Sequence, residues 1–117
     1  MEIRNDSPVP LAVVFTPEQI HDQAIKAVRT VYDPEIPVNV YELGLIYNVD
    51  VQADGRVVVV MTMTAPNCPS AEQLPVEVRQ KIAAIPGVKE VDVRLTFEPA
   101  WTKDMMSEAA RLDLGIY

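Results

Sequence analysis

Ten prolines divide this chain into short segments, and their positions limit which helices and strands it can form. Proline lacks a backbone N–H and disfavours helix in the residue before it, so regular elements must lie between the prolines or begin at them. Residues 1–15 contain Pro8 and Pro10 and predict an N-terminal arm, which is expected to pair at a sheet edge or pack on a neighbour. Residues 16–117 have the usual size of a single domain and predict one.

The spacing of apolar residues changes between these segments. Apolar residues recur at helical intervals in three segments, which predict helices over residues 17–32, 71–85 and 103–112. Apolar and polar residues alternate in three others, which predict strands over residues 45–51, 56–64 and 91–97. Thr16 and Ser70 are expected to cap the first two helices, and Asp54-Gly55 predicts a hairpin turn between the first two strands.

The predicted order of elements is therefore α-β-β-α-β-α. The second strand is apolar on both faces for much of its length, which predicts a central position in the sheet. A hairpin followed by a helical crossover gives a small mixed three-stranded sheet with helices packed on one face. The predicted fold class is a two-layer α+β domain, and the pattern does not fix the order of the strands.

Composition excludes several classes of function. Ten Lys and Arg against 17 Asp and Glu give a net charge of −7, which disfavours binding to nucleic acid or to an anionic membrane surface. The single cysteine excludes an intramolecular disulfide, and one Cys with one His cannot form a structural zinc site. No apolar run approaches the roughly 20 residues that span a bilayer. We therefore expect a cytoplasmic protein that binds other proteins or cations.

Cys68 is the residue whose position most suggests chemistry. It lies between two prolines in the segment that leads to the second predicted helix. The unpaired amides at a helix start favour an anion, so a thiol there tends to a lower pKa and to metal binding or nucleophilic attack. The alternative is a buried cysteine that packs as a small hydrophobic residue. Nothing in the sequence brings His21 beside Cys68 as a catalytic pair.

Two carboxylates lie on a proline-containing segment that we call the acidic loop, residues 33–37. Asp33 and Glu35 are able to bind a cation or to accept hydrogen bonds from amides of another loop; the alternative is a helix-ending turn with solvated acids.

Thr62 and Thr64 lie on one face of the second predicted strand. A threonine hydroxyl there can donate to a thiolate; the alternative is that both residues are present only because threonine favours strands. Trp101 is expected to be a packing anchor.

Four blocks of sequence, taken in order, resemble the signature of one family. The blocks are residues 33–37, 43–47, 62–69 and 86–88, and a tail over residues 97–112 follows them. They resemble the small-domain family that includes SufT, the PaaD-like proteins and the eukaryotic cytosolic iron–sulfur targeting factor. The tail is similar to the SufT branch in particular, and the resemblance covers about residues 17–117.

The resemblance implies an auxiliary factor in the assembly and delivery of iron–sulfur clusters, and not an enzyme. It implies that Cys68 is the cofactor-binding and metal-contacting thiol, and that Asp33, Glu35 and Thr64 line a cleft with it. The implied cofactor is iron or a transient iron–sulfur cluster. The implied partners are iron–sulfur scaffold or carrier proteins and client apoproteins.

One cysteine per chain limits how a cluster can be held, since clusters are usually bound by four thiolates. Either subunits share the cluster, as in a homodimer, or a client or scaffold supplies the other ligands. PaaD-like members carry a further cysteine-rich C-terminal segment that this sequence lacks, which disfavours a role in assembling a phenylacetyl oxygenase. Two alternatives remain: a non-metal protein-interaction adaptor with a structural cysteine, and an enzyme with a cysteine nucleophile.

Overall fold

A computed structural model describes residues 15–65 and 72–115, which form one small α+β body. Its helices are α1 (Pro17–Val28), α2 (Leu74–Ala83) and α3 (Glu108–Asp113), with a 3-10 helix at Lys103–Met105. Its strands are β1 (Ile46–Val51), β2 (Arg56–Met61) and β3 (Glu90–Leu95). The predicted order and fold class are confirmed. The predicted arm, apart from its last residue, Phe15, and the segment of Cys68 and Ser70 lie outside the described residues.

The N-terminal end of α1 is built as the sequence predicts. Thr16 Oγ1 accepts a hydrogen bond from the Gln19 N–H at 3.2 Å, and the Gln19 side chain accepts one from the Thr16 N–H at 2.8 Å. The buried face of the helix presents Ile20, Ala24 and Val28 to the core. This reciprocal cap satisfies two of the amides that a helix start leaves unpaired, so α1 begins at a defined residue.

The sheet has the strand order β1-β2-β3, so β2 is central as predicted. β1 and β2 are antiparallel neighbours joined by the expected hairpin, whereas β3 runs parallel to β2 after the crossover through α2. Val57, Val59 and Met61 of β2 are completely buried, and they belong to the same core as the buried residues of α1 and α2. The helices therefore cover this face of the sheet, and it is a two-layer domain.

Three predicted element boundaries are wrong. Helix α1 ends at Val28 and not near residue 32, because Val31 turns into the loop, where its carbonyl accepts from the Val40 N–H at 2.8 Å. Strand β2 ends at Met61, and β3 ends at Leu95. Apolar residues continue beyond all three ends, since burial in a loop requires the same side chains as burial in a helix or strand.

Both later helices also differ from the prediction. Helix α2 begins at Leu74 with Gln73 at the N-cap, so Ser70 is not its cap, and Pro75 lies in the first turn, where no N–H is needed. The predicted helix over residues 103–112 is two pieces, because the backbone is extended at Met106 and Ser107. Ser107 then caps α3 by accepting from the Ala110 N–H at 3.1 Å.

None of the described helices has the length and apolar character that crossing a membrane requires.

Candidate functional site

The acidic loop is organised by a buried carboxylate. Asp33 is only 6% exposed, and its Oδ1 accepts hydrogen bonds from the N–H groups of Glu35 at 2.8 Å and Ile36 at 3.0 Å. Its own N–H donates to the Val38 carbonyl at 3.2 Å. Asp33 therefore fixes the turn that carries Glu35, whose side chain is exposed. The alternative of two solvated acids does not hold for Asp33, and the amides that it binds belong to its own loop and not to another.

Replacing Asp33 with alanine is expected to lower the free energy of unfolding by about 1–3 kcal/mol, because the N–H groups of Glu35 and Ile36 lose their acceptor inside the fold. Asp33→Asn is the matched control, since its amide oxygen still accepts, and we expect a smaller loss. Urea unfolding of both variants measures the difference. Equal losses in the two variants would show that these hydrogen bonds do not support the loop.

Backbone hydrogen bonds bring the acidic loop to the same end of the sheet as the exit of β2. The Val40 N–H donates to Val31, which lies two residues before Asp33, and the Leu45 N–H donates to Val40 at 3.0 Å. The Thr62 N–H, directly after β2, donates to the Leu45 carbonyl at 2.9 Å. The chain that leads to residue 68 therefore leaves β2 beside the segment that carries the loop.

The two threonines after β2 are not equivalent. Both lie beyond the end of the strand, and not on one of its faces as predicted. Thr62 is completely buried, and its hydroxyl lies 3.5 Å from the Met63 carbonyl, a long distance for a hydrogen bond. Thr64 is half-buried. Thr64 is therefore the one of the two with a side chain that solvent or a ligand reaches readily.

A groove separates the acidic loop from the C-terminal segment, residues 99–115. It has a volume of about 310 Å³ and is lined by Glu35, Ile36, Pro37, Trp101, Lys103, Met106 and Leu114. Its walls are mostly apolar, with one carboxylate from the loop and one ammonium from the C-terminal segment. We call it the loop–tail groove. No sequence pattern indicates this groove, because its two walls are more than sixty positions apart in the chain.

Long-range hydrogen bonds hold the C-terminal segment in place. The Trp101 indole N–H donates to the Leu43 carbonyl at 2.7 Å, and the ring packs against the core. The Tyr47 hydroxyl donates to the Pro99 carbonyl at 2.7 Å. Trp101 is confirmed as a packing anchor, and it also forms one wall of the groove.

The sequence matches a family described as iron–sulfur cluster assembly protein over residues 21–93. The chain belongs to this family. It is 62% identical over 97 residues to an Fe-S protein maturation auxiliary factor of Porphyromonas gingivalis, a match that covers 83% of this chain and 92% of that protein. It is 40% identical over 86 residues to the Fe-S protein maturation auxiliary factor SufT of Staphylococcus aureus, covering 74% of this chain and 98% of that protein.

A solved structure has the same fold. A domain of unknown function from Bacillus anthracis superposes with a TM-score of 0.80 at 33% identity, covering 86% of this chain and 96% of that one. The expected resemblance to the SufT family is therefore confirmed. The residues matched by the iron–sulfur cluster assembly family include Asp33, Glu35, Thr64 and Cys68, whereas the C-terminal wall of the groove lies beyond them.

The described residues alone do not form a metal site. Within residues 15–65 and 72–115, no three His, Cys, Asp or Glu side chains are grouped so that they could hold a metal ion. Cys68, the predicted ligand, lies outside this part of the chain, so its distance from Asp33 or Glu35 is not tested. Its role as a metal contact stays a prediction.

Proposed function

We propose that this protein is an auxiliary factor in the maturation of iron–sulfur proteins, and that Cys68 is the thiol that contacts iron or a cluster in transit. The observation that carries the proposal is a shared position in the fold. The acidic loop and the β2 exit that leads to Cys68 lie at one end of the sheet, and both fall within residues 21–93, the region shared with the assembly family.

Each predicted cleft residue has a distinct part in this proposal. Asp33 sets the shape of the loop through its two hydrogen bonds, and Glu35 is an exposed residue of the same turn. Thr64 is a half-buried residue four positions before Cys68. A thiolate is a soft ligand that suits iron–sulfur cargo, whereas a carboxylate is a hard one, so the thiol is the residue expected to touch the cluster.

A single thiol per chain favours transfer over storage. The other cluster ligands must come from a scaffold, a client apoprotein or a second copy of this chain. A site that contributes so few ligands releases its cargo readily when a client offers a complete set. The relatives are named auxiliary factors of Fe-S protein maturation, and from this we infer a non-catalytic role for this chain.

A second function, that of a protein-interaction adaptor that never touches the cluster, is favoured by the loop–tail groove. Its apolar lining includes Trp101 and Met106, two residue types that are enriched at protein interfaces. Its opposite charges, on Glu35 and Lys103, would orient a polar partner segment. In this case Cys68 packs in the fold and the groove binds scaffold or client.

Anaerobic reconstitution of the full chain with ferrous iron and sulfide separates the two functions. We expect the wild type to gain visible absorbance and bound iron, and Cys68→Ser to gain neither while keeping its thermal unfolding temperature. A wild type that binds client apoprotein but acquires no iron or absorbance, with or without that client present, would overturn the proposed contact and leave the adaptor function.

A further inference from the structure

The outer edge of β3 has no neighbouring strand among the described residues. Thr96, directly after β3, donates its N–H to the Met61 carbonyl of β2 at 2.9 Å. This hydrogen bond fixes the side to which the backbone N–H and C=O groups of each β3 residue point. In parallel strands the N–H and C=O of one residue point to the same side, and successive residues alternate. Val91, Val93 and Leu95 therefore direct their backbone groups away from β2, as an open template for another strand.

This edge lacks most of the devices that usually protect a strand from pairing. Its six residues include no proline and no lysine, and their register with β2 is regular over all six pairs, without a bulge. Leu95 is 45% exposed and Phe97, just beyond the strand, is 40% exposed. Large apolar side chains thus lie in solvent at the end of an open edge.

We propose that this edge binds the β3 strand of a second copy of the chain, antiparallel and centred on Val93, so that two sheets join into one of six strands. Charge selects the register. Pairing centred on Asp92 or on Arg94 places like charges opposite each other, which is destabilising. Pairing centred on Val93 places Asp92 opposite Arg94 of the second copy, twice by symmetry.

The same register suits the backbone and the apolar residues. Val93 faces its own counterpart and Leu95 faces Val91 of the second copy; these are the residues whose N–H and C=O groups point outward, so each pair exchanges two hydrogen bonds. Asp92 and Arg94 then form the closer, non-hydrogen-bonded pairs, with Cα atoms about 4.5 Å apart. Leu95, now 45% exposed, becomes covered.

The charges that form this contact are already ordered in one copy. Arg94 Nη2 lies 2.8 Å from Asp92 Oδ2, and both side chains are partly exposed, at 61% and 36%. One such pair on a surface contributes little to stability. In the dimer two such pairs meet on the face of the joined sheet opposite the helices, and they form a network of four alternating charges. The partner is thus a second copy of this chain, independent of any cluster.

Charge reversal in the full chain tests the interface by sedimentation. Arg94→Asp gives each copy two acids at these positions, and Asp92→Arg gives each copy two arginines. We expect the wild type to dimerise, each variant alone to be monomeric, and an equimolar mixture of the two variants to form a heterodimer, since opposite charges again face each other. A monomeric wild type, a variant that dimerises alone or a mixture that stays monomeric would each overturn the proposal.

Amide exchange distinguishes a second copy from other covers of the edge. The N–H groups of Val91, Val93 and Leu95 are expected to gain protection as protein concentration rises. The Arg94 N–H is the internal control, because it points towards β2 and is protected at every concentration. Protection of the three outward amides that does not change with concentration would mean that the chain's own residues 1–14 cover the edge, and no protection would mean that nothing does; either result overturns the proposal.

Discussion

Cys68→Ser is expected to reduce the activity of a client iron–sulfur enzyme to the level measured in a strain that lacks this protein. Serine has nearly the shape of cysteine, so the fold should tolerate it. Its hydroxyl does not ionise near neutral pH and is a hard oxygen ligand, whereas a thiolate is the usual ligand of an iron–sulfur cluster. The loss should therefore be complete and not partial. The measurement is the specific activity of the client enzyme in a deletion strain that expresses the variant.

His21→Gln is the control for this experiment. His21 is the single histidine of the chain, it is exposed on α1, and we assign it no part in the site. This variant should restore client activity fully, with a cellular protein level equal to that of Cys68→Ser. Full restoration by Cys68→Ser would show that the thiol does not contact the cargo and would favour the adaptor that binds through the loop–tail groove.

Local signals predicted the local features of the fold. The capping box of Thr16 and Gln19 needs only residues three positions apart, and the structure forms both of its hydrogen bonds. The two-sided apolar character of β2 predicted its central position, because only a strand with neighbours on both edges and a covered face excludes polar residues to that extent. The misplaced end of α1 has a local cause too: Val31 keeps the helical spacing while its backbone bonds to the loop.

Long-range packing could not be predicted in the same way. Trp101 and Leu43 are 58 positions apart, and no periodicity indicates that the C-terminal segment returns to the acidic loop. Asp33 shows the same limit within a short segment, since its sequence neighbours do not reveal that its carboxylate is buried. For Cys68 the sequence shows only that the residue stands at a position of the family's motif. The distances that would make it a ligand depend on how two separate loops are placed.

Gly44→Ala is expected to lower the free energy of unfolding by about 2–5 kcal/mol, because two costs add. Gly44 has φ +84°, a left-handed conformation that costs other residues about 1–2 kcal/mol. A Cβ there would also contact the Met105 carbonyl oxygen and lie 2.8 Å from the Met105 carbonyl carbon. Overpacking of this kind typically costs about 1–3 kcal/mol. Urea unfolding measures the total.

Gly115→Ala is the control that separates the backbone cost from the cost of the close contact at Gly44. Gly115 has φ +73°, but a Cβ there meets no atom of the described residues within 4 Å, so only the backbone cost of about 1–2 kcal/mol applies. Trp101, the single tryptophan, donates its indole N–H to the carbonyl of Leu43, the residue before Gly44, so its fluorescence reports a displacement of the C-terminal segment. In Gly44→Ala the displaced C-terminal segment should carry Trp101 away from the Leu43 carbonyl and shift its emission to the red, whereas Gly115→Ala should leave the emission unchanged. Equal stability losses and an unshifted spectrum in both variants would mean that the C-terminal segment does not rest on Gly44.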